Sequence, residues 1–157
     1  MSDDPLDPGK QIARLSPFHR ETYRAWRTIT LRWSDNDAYG HVNNTVYYQW
    51  FDSAVNGWLV EQGLLDISAG DPIAFVAETR CTFLSPVSFP GEVDIGLRVV
   101  SLGRSSVRFA IGVFAQGTDT AVAEGEFVHV AVSRARRRPV PLPAAWRAAL
   151  ERLRSVD

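Results

Sequence analysis

Arg32-Trp33-Ser34-Asp35-Asn36-Asp37-Ala38-Tyr39-Gly40-His41-Val42-Asn43-Asn44 leads from a strand-like segment into an amphipathic helix. Upstream, Ile29, Leu31 and Trp33 fall on one face by period-two alternation, which predicts a strand from Trp26 to Trp33. Downstream, Asn43 is a good N-cap for a helix over Asn44 to Gln62, and Gly63 is the matching stop. Gly40 gives the intervening loop backbone freedom. The junction sets two carboxylates beside a helix N-terminus, whose first N–H groups lack intrahelical acceptors and whose dipole favours negative charge. Such a site suits electrostatic catalysis, so the chain reads first as an enzyme.

Tyr47, Trp50, Phe51, Ala54 and Trp58 recur at helical spacing and mark a buried face. Beyond the connection from Leu64 to Asp71 the pattern turns to strand. Ile73 to Val87 is one long candidate, ended by the turn Pro86-Val87-Ser88-Phe89-Pro90-Gly91. Val93, Ile95, Leu97 and Val99 alternate with Asp94, Gly96 and Arg98. Val107, Phe109, Ile111 and Val113 follow after a turn near Gly103, and Val122, Val128, Val130 and Val132 after Gly117-Thr118-Asp119. These are three meander strands. In the last, Ala121, Ala123, Gly125 and Ala131 share a face with Phe127 and His129, leaving room for a close-lying helix. Pro139, Pro141 and Pro143 precede a short helix predicted over Ala144 to Leu153.

Composition bounds the function. A chain of 157 residues, 45% apolar, fits one domain with a sizeable core. Its formal charge of -1 argues against nucleic acid as the main partner. One cysteine, Cys81, forms no intrachain disulfide and lacks a histidine neighbour in sequence, so it reads as a structural thiol. Met1 to Gln11 is polar and has no apolar signal-peptide core; with no run of about 20 apolar residues, the expectation is a cytoplasmic protein without a membrane span. The expected division is a mobile tail over 1–22, one domain over 23–138, and a C-terminal tail with a short helix over 139–157. His19, His41 and His129 lack metal-ligand spacing, and neither a phosphate-cradling glycine loop nor a serine-hydrolase elbow is present, so no metal and no resident cofactor are expected.

Strand, Asp-rich loop, long helix and four further antiparallel strands resemble the hotdog fold: an α+β architecture whose curved sheet of about five strands wraps one central helix. Asp35 to Asn44, followed by Tyr47 or Tyr48 and by Phe51-Asp52, resembles the signature of the 4-hydroxybenzoyl-CoA thioesterase family; the His41-Val42-Asn43-Asn44 variant is similar to its acyl-CoA thioester hydrolase branch. The resemblance implies hydrolysis of an acyl-CoA thioester, with coenzyme A as part of the substrate. It places the catalytic carboxylate on Asp37 and the carbonyl-polarising backbone N–H on Asn44, with Asp35 in support. His41 then orients the aspartate or water, or binds substrate, and Asn43 contacts substrate besides capping. Arg104 and Ser105 fall in the turn where the family meets coenzyme A, and arginine suits phosphate.

Each residue also has a plainer role. Asp35 and Asp37 are ordinary turn and helix-start residues, His41 an ordinary loop donor, the helix aromatics ordinary core, and Arg104 a solvated turn charge; Glu78 and Arg80, which the resemblance brings toward the partner subunit's site, are equally well ordinary strand charges. Arg134, Arg136, Arg137 and Arg138 read as a solvated strand end. Asp37 serves either as nucleophile or as general base. Two other functions remain open, an acyl carrier protein thioesterase and a non-catalytic acyl-CoA-binding module. The unpaired sheet edges and the family pattern imply a homodimer or homotetramer, with the site completed across a dimer.

Overall fold

The computed structural model describes residues 19–154. Five strands, β1 (Ala25–Thr30), β2 (Ile73–Phe83), β3 (Glu92–Leu102), β4 (Ser106–Ala115) and β5 (Ala123–Val132), form one antiparallel sheet in the order β1-β3-β4-β5-β2. The predicted meander is β3-β4-β5. Helix α1 (Asn44–Glu61) separates β1 from β2 in sequence and packs against β1, β2 and β3. This is the hotdog arrangement, a curved sheet around one long helix. A second helix, α2 (Ala144–Glu151), closes the described chain.

The core lies between α1 and the concave face of the sheet. Tyr47, Trp50, Phe51, Ala54 and Trp58 are all buried, as their spacing predicts, together with Val93, Ile95, Leu97 and Val99 of β3 and Val107, Phe109, Ile111 and Val113 of β4. On β5 the buried row is Ala123, Gly125, Phe127, His129 and Ala131, while Val128 and Val130 are half-buried on the other face. Small residues therefore face the helix. Past the helix end, the chain turns at Gly63, and the Leu64 N–H reaches back to the Leu59 carbonyl at 2.9 Å.

The structure corrects three boundaries. The first strand stops at Thr30 instead of continuing to Trp33, because Trp33–Asp35 forms a 3-10 turn closed by reciprocal bonds between Arg32 and Asp35. Trp33 is consequently 83% exposed and only edges against Phe89. The long strand stops at Phe83 instead of Val87. There Leu84 and Ser85 both donate to the Val122 carbonyl, and Val87 accepts from Val42 of the Asp-rich loop, which takes this segment out of the sheet ladder. The C-terminal helix ends at Glu151, but its Trp146, Ala149 and Leu150, with Leu153 beyond, join the main core cluster.

Of the tail expected over 1–22, residues 1–18 lie outside the described residues, as do 155–157. From His19 the chain is built onto the sheet: Arg20 pairs with Asp94 at 2.9 Å and lies over the rings of Trp26 and Phe114. Strand β2 is an edge with mostly exposed residues and a bulge between Val76 and Glu78. No helix among the described residues is long and apolar enough to cross a membrane.

Candidate active site

The loop from Arg32 to Asn43 is closed by its own backbone and by its neighbour. Asp35 is 1% exposed and accepts from the Arg32 backbone N–H at 2.7 Å and from the guanidinium at 2.9 and 2.7 Å. With both oxygens engaged and no exposed surface, this carboxylate has no room for substrate. Its carbonyl oxygen accepts the Asn43 N–H at 2.8 Å, which joins the turn to the helix start. Across from the loop, the Asn36 side chain accepts the Phe89 N–H at 3.0 Å, and the Ser88 hydroxyl donates to the Gly40 carbonyl at 2.7 Å.

Asp37 differs from Asp35 in every respect that matters for chemistry. It is half-buried and has no ion-pair partner among the described residues; its contacts are the Tyr39 N–H at 2.8 Å and the Asn43 side-chain amide at 3.5 Å. Its own N–H donates to the His41 carbonyl at 2.8 Å, and its carbonyl accepts from Gly40 at 3.1 Å, giving a tight turn over Asp37–His41. Gly40 makes that turn at φ +84°, a region unfavourable to other L-residues.

Asn43 caps α1, its side-chain oxygen accepting the Thr45 N–H at 3.0 Å. Val46 donates to the Asn43 carbonyl. Asn44 is the first helical residue, so its N–H has no intrahelical acceptor, and it lines a cleft of about 260 Å³. The cleft is also lined by His41, Val42, Tyr47 and the Phe83 to Pro86 segment. Tyr47 and Phe83 meet edge to face at 4.9 Å, with Trp50 at 4.7 Å behind Tyr47. Burial pushes the Tyr47 phenol up to about 12, so it stays protonated at working pH.

The structure thus gathers Asp37, His41, Asn43 and Asn44 at one end of the sheet. His41 and Asn44 line the cleft itself, whereas Asp37 and Asn43 are not among its lining residues. Arg104 and Ser105 are not brought there. They follow the Leu102 end of β3, whereas the loop adjoins its Glu92 end, so roughly 30 Å of strand separates them within one chain. Arg104 is exposed, its carbonyl accepting from Leu142, and the Ser105 carbonyl accepts from Ala131.

Helical spacing signals the burial of Tyr47 but not its place at the cleft, and nothing in the sequence pattern selects Phe83, Leu84, Ser85 or Pro86 for the site. The β2 exit reaches the cleft only through tertiary pairing. Two groups outside the cleft have their charged forms disfavoured by burial: the Cys81 thiol is pushed up to about 12, and the His129 imidazole down to about 4. Among the described residues no group of three or more His, Cys, Asp or Glu is placed to hold a metal ion.

The chain is similar to several solved structures. PA5185 from Pseudomonas aeruginosa shares 46% identity over 89% of this chain and 98% of that one, with a TM-score of 0.86. A Thermus thermophilus thioesterase complexed with coenzyme A and zinc shares 32% over 85% and 94%, with a TM-score of 0.70. A 1,4-dihydroxy-2-naphthoyl-CoA thioesterase from Synechocystis, 20% identical over 80% and 93% with a TM-score of 0.72, shares the fold. No match was found among curated proteins. The family model of the thioesterase-like superfamily matches residues 31–150, and the chain belongs to that superfamily.

Proposed function

We propose that the protein hydrolyses an acyl-CoA thioester to the free acid and coenzyme A, in the manner of the 4-hydroxybenzoyl-CoA thioesterase family. The observation that carries this reading is the division of labour between two neighbouring aspartates. Asp35 is buried under Arg32, and Asp37 stands half-buried without a counter-cation among the described residues, one turn before an uncapped helical N–H at a cleft. A carboxylate near a donor for developing negative charge is what thioester cleavage requires.

In this mechanism the thioester carbonyl oxygen takes the Asn44 N–H, and its negative charge in the tetrahedral state is stabilised there and by the α1 dipole. Asp37 either attacks the carbonyl carbon or removes a proton from the attacking water. Carbon–sulfur cleavage then releases the thiolate of coenzyme A, which takes up a proton; in the covalent route, water finally hydrolyses the acyl-aspartate. His41, at the cleft, orients the carboxylate or water. The acyl group lies against Tyr47 and Phe83.

A second copy completes the site in this reading. The free edge of β2 is long and carries exposed Phe75, Val76 and Phe83, a surface suited to pairing with another β2. The distance between the loop and Arg104-Ser105 within one chain also favours supply of the phosphate contacts by the other. The acidic headgroups of coenzyme A would then meet Arg104 of one protomer while its thioester reaches Asp37 of the other. The coenzyme A held by the Thermus thermophilus structure supports this ligand class.

Thiol release from a panel of short, long and aromatic acyl-CoAs, comparing the parent with Asp37→Asn, tests the reading. Turnover should fall by about 10²–10⁴ in a folded variant. Turnover only with acyl carrier protein thioesters would replace the substrate, and ligand retention without any turnover would replace catalysis by binding.

A further inference from the structure

We propose that Asn43 is a positioning residue for Asp37: one side-chain amide ties the N-terminus of α1 to the catalytic carboxylate. The inference rests on the assignment of Asp37 above and adds a residue that acts through it.

Every polar group of Asn43 is engaged. Its N–H donates to the Asp35 carbonyl at 2.8 Å and its carbonyl accepts from Val46 at 3.0 Å. The side-chain oxygen accepts from the Thr45 N–H at 3.0 Å and from the Thr45 hydroxyl at 2.8 Å. These two donors fix which end of the amide is oxygen, because a side-chain NH₂ could not accept the Thr45 N–H. The NH₂ end is therefore the one directed at Asp37, with Nδ2 3.5 Å from Oδ2. Asp37 Oδ1 is already held by the Tyr39 N–H at 2.8 Å. The Tyr39 bond anchors one carboxylate oxygen, and the longer Asn43 contact steers the other toward the helix whose first N–H polarises the substrate.

The arrangement explains why an asparagine serves here better than another good cap. Serine, threonine and aspartate also accept from the N2 amide. A serine or threonine hydroxyl has to accept and donate from one atom close to the backbone, and an ionised aspartate has no proton to give; asparagine divides the two tasks between Oδ1 and Nδ2. The link continues backward through Asp35 to Arg32, whose three bonds to the Asp35 carboxylate hold the acceptor of the Asn43 N–H in place.

Asn43→Ser and Asn43→Asp separate capping from positioning, because both retain the cap. Both variants should unfold within a few degrees of the parent, with kcat lowered about ten- to a hundredfold and KM little changed. Asn43→Asp should also move the acid limb of the pH–rate profile upward, since a second carboxylate then faces Asp37. The other charges around Asp37 are constant in this comparison: Asp35 is taken up by Arg32, His41 stands exposed at the cleft, the Pro86 to Gly91 segment has no charged residue, and Asp52 lies two turns along α1. Parental kcat and an unmoved profile in both variants would reduce Asn43 to a cap and overturn the proposal.

The Asp37 carboxyl carbon resonance, compared at one pH in the parent and both variants, is an independent test. It should move in both variants, whether or not the protein turns over a thioester; an unmoved resonance in both overturns the proposal. Absence of turnover in the parent, with the resonance moved, would instead locate the failure in the proposed reaction.

Discussion

The ring of Phe51 lies directly on the backbone of Gly125: a Cβ at position 125 would stand 2.5 Å from two ring carbons and 2.8 Å from the Arg80 carbonyl oxygen. Phe51 is fully buried on α1, so this contact sets how closely the helix approaches β5. A backbone oxygen on one side and a buried ring on the other leave nothing flexible to give way. Gly125→Ala should destabilise the fold by about 1–3 kcal/mol through overpacking. Denaturant unfolding measures it; an unchanged midpoint would mean that the helix can shift freely. A displaced helix also moves the Asn44 N–H, so thiol release should fall with stability.

That contact is legible in the sequence, because Ala123, Gly125 and Ala131 on one strand face imply a neighbour that needs space. The rows of β3 and β4 under the helix are legible for a related reason, because apolar residues recur there at every second position; the burial of Ala110 and Phe114 on the other face of β4, where Phe114 packs with Tyr23, is not. Trp33 shows where the same logic fails. Alternation continues through Leu31 to Trp33, but the mutual bonds of Arg32 and Asp35 stop the strand, and no apolar pattern reports a side-chain cap. In the site, the two carboxylates and the helix start are legible as one motif. The differing environments of Asp35 and Asp37 are not, since both are acidic residues of one short loop and only the direction of Arg32 separates them. The cleft wall from Phe83 to Pro86 is hidden because it meets the loop through the Val42 to Val87 bond, a pairing without a local signal.

Asp35 acts on the site through structure. Asp35→Asn removes the charge that receives the Arg32 fork and should lower stability by about 1–3 kcal/mol, with a further loss of turnover as the Asp35 carbonyl shifts under Asn43. Unfolding and thiol release on the same samples check both parts. Full activity at reduced stability would show that the loop keeps its shape without the fork.

Arg104 is exposed and has no ion-pair partner among the described residues, so its removal should leave the fold intact. If it meets a phosphate of coenzyme A, Arg104→Ala raises KM for an acyl-CoA by about two- to fivefold, with kcat unchanged. The matching N-acetylcysteamine thioester has no phosphate and should show no change. Equal effects on both substrates would place Arg104 outside the nucleotide contact.

His129 gives the fold an acid limit. It is 2% exposed, its ring neighbours are Phe127 at 4.7 Å and Phe109 at 6.2 Å, and its buried Nδ1 has no hydrogen-bond partner among the described residues. Burial pushes the imidazole down to about 4 from 6.5. Between these values the unfolded chain binds a proton that the folded chain does not, so stability rises with pH across the window and is lost on acidification. Above pH 6.5 both states are neutral and the group contributes no pH dependence. The loss begins near 6.5 and is complete near 4, amounting to about 3 kcal/mol at 1.36 kcal/mol per unit. Urea unfolding at pH 7.5 and pH 4.5, for the parent and for His129→Leu, isolates the effect from the carboxylates common to both. The parent should lose more stability than the variant over this interval, and equal losses would show that His129 protonates in the folded state without penalty.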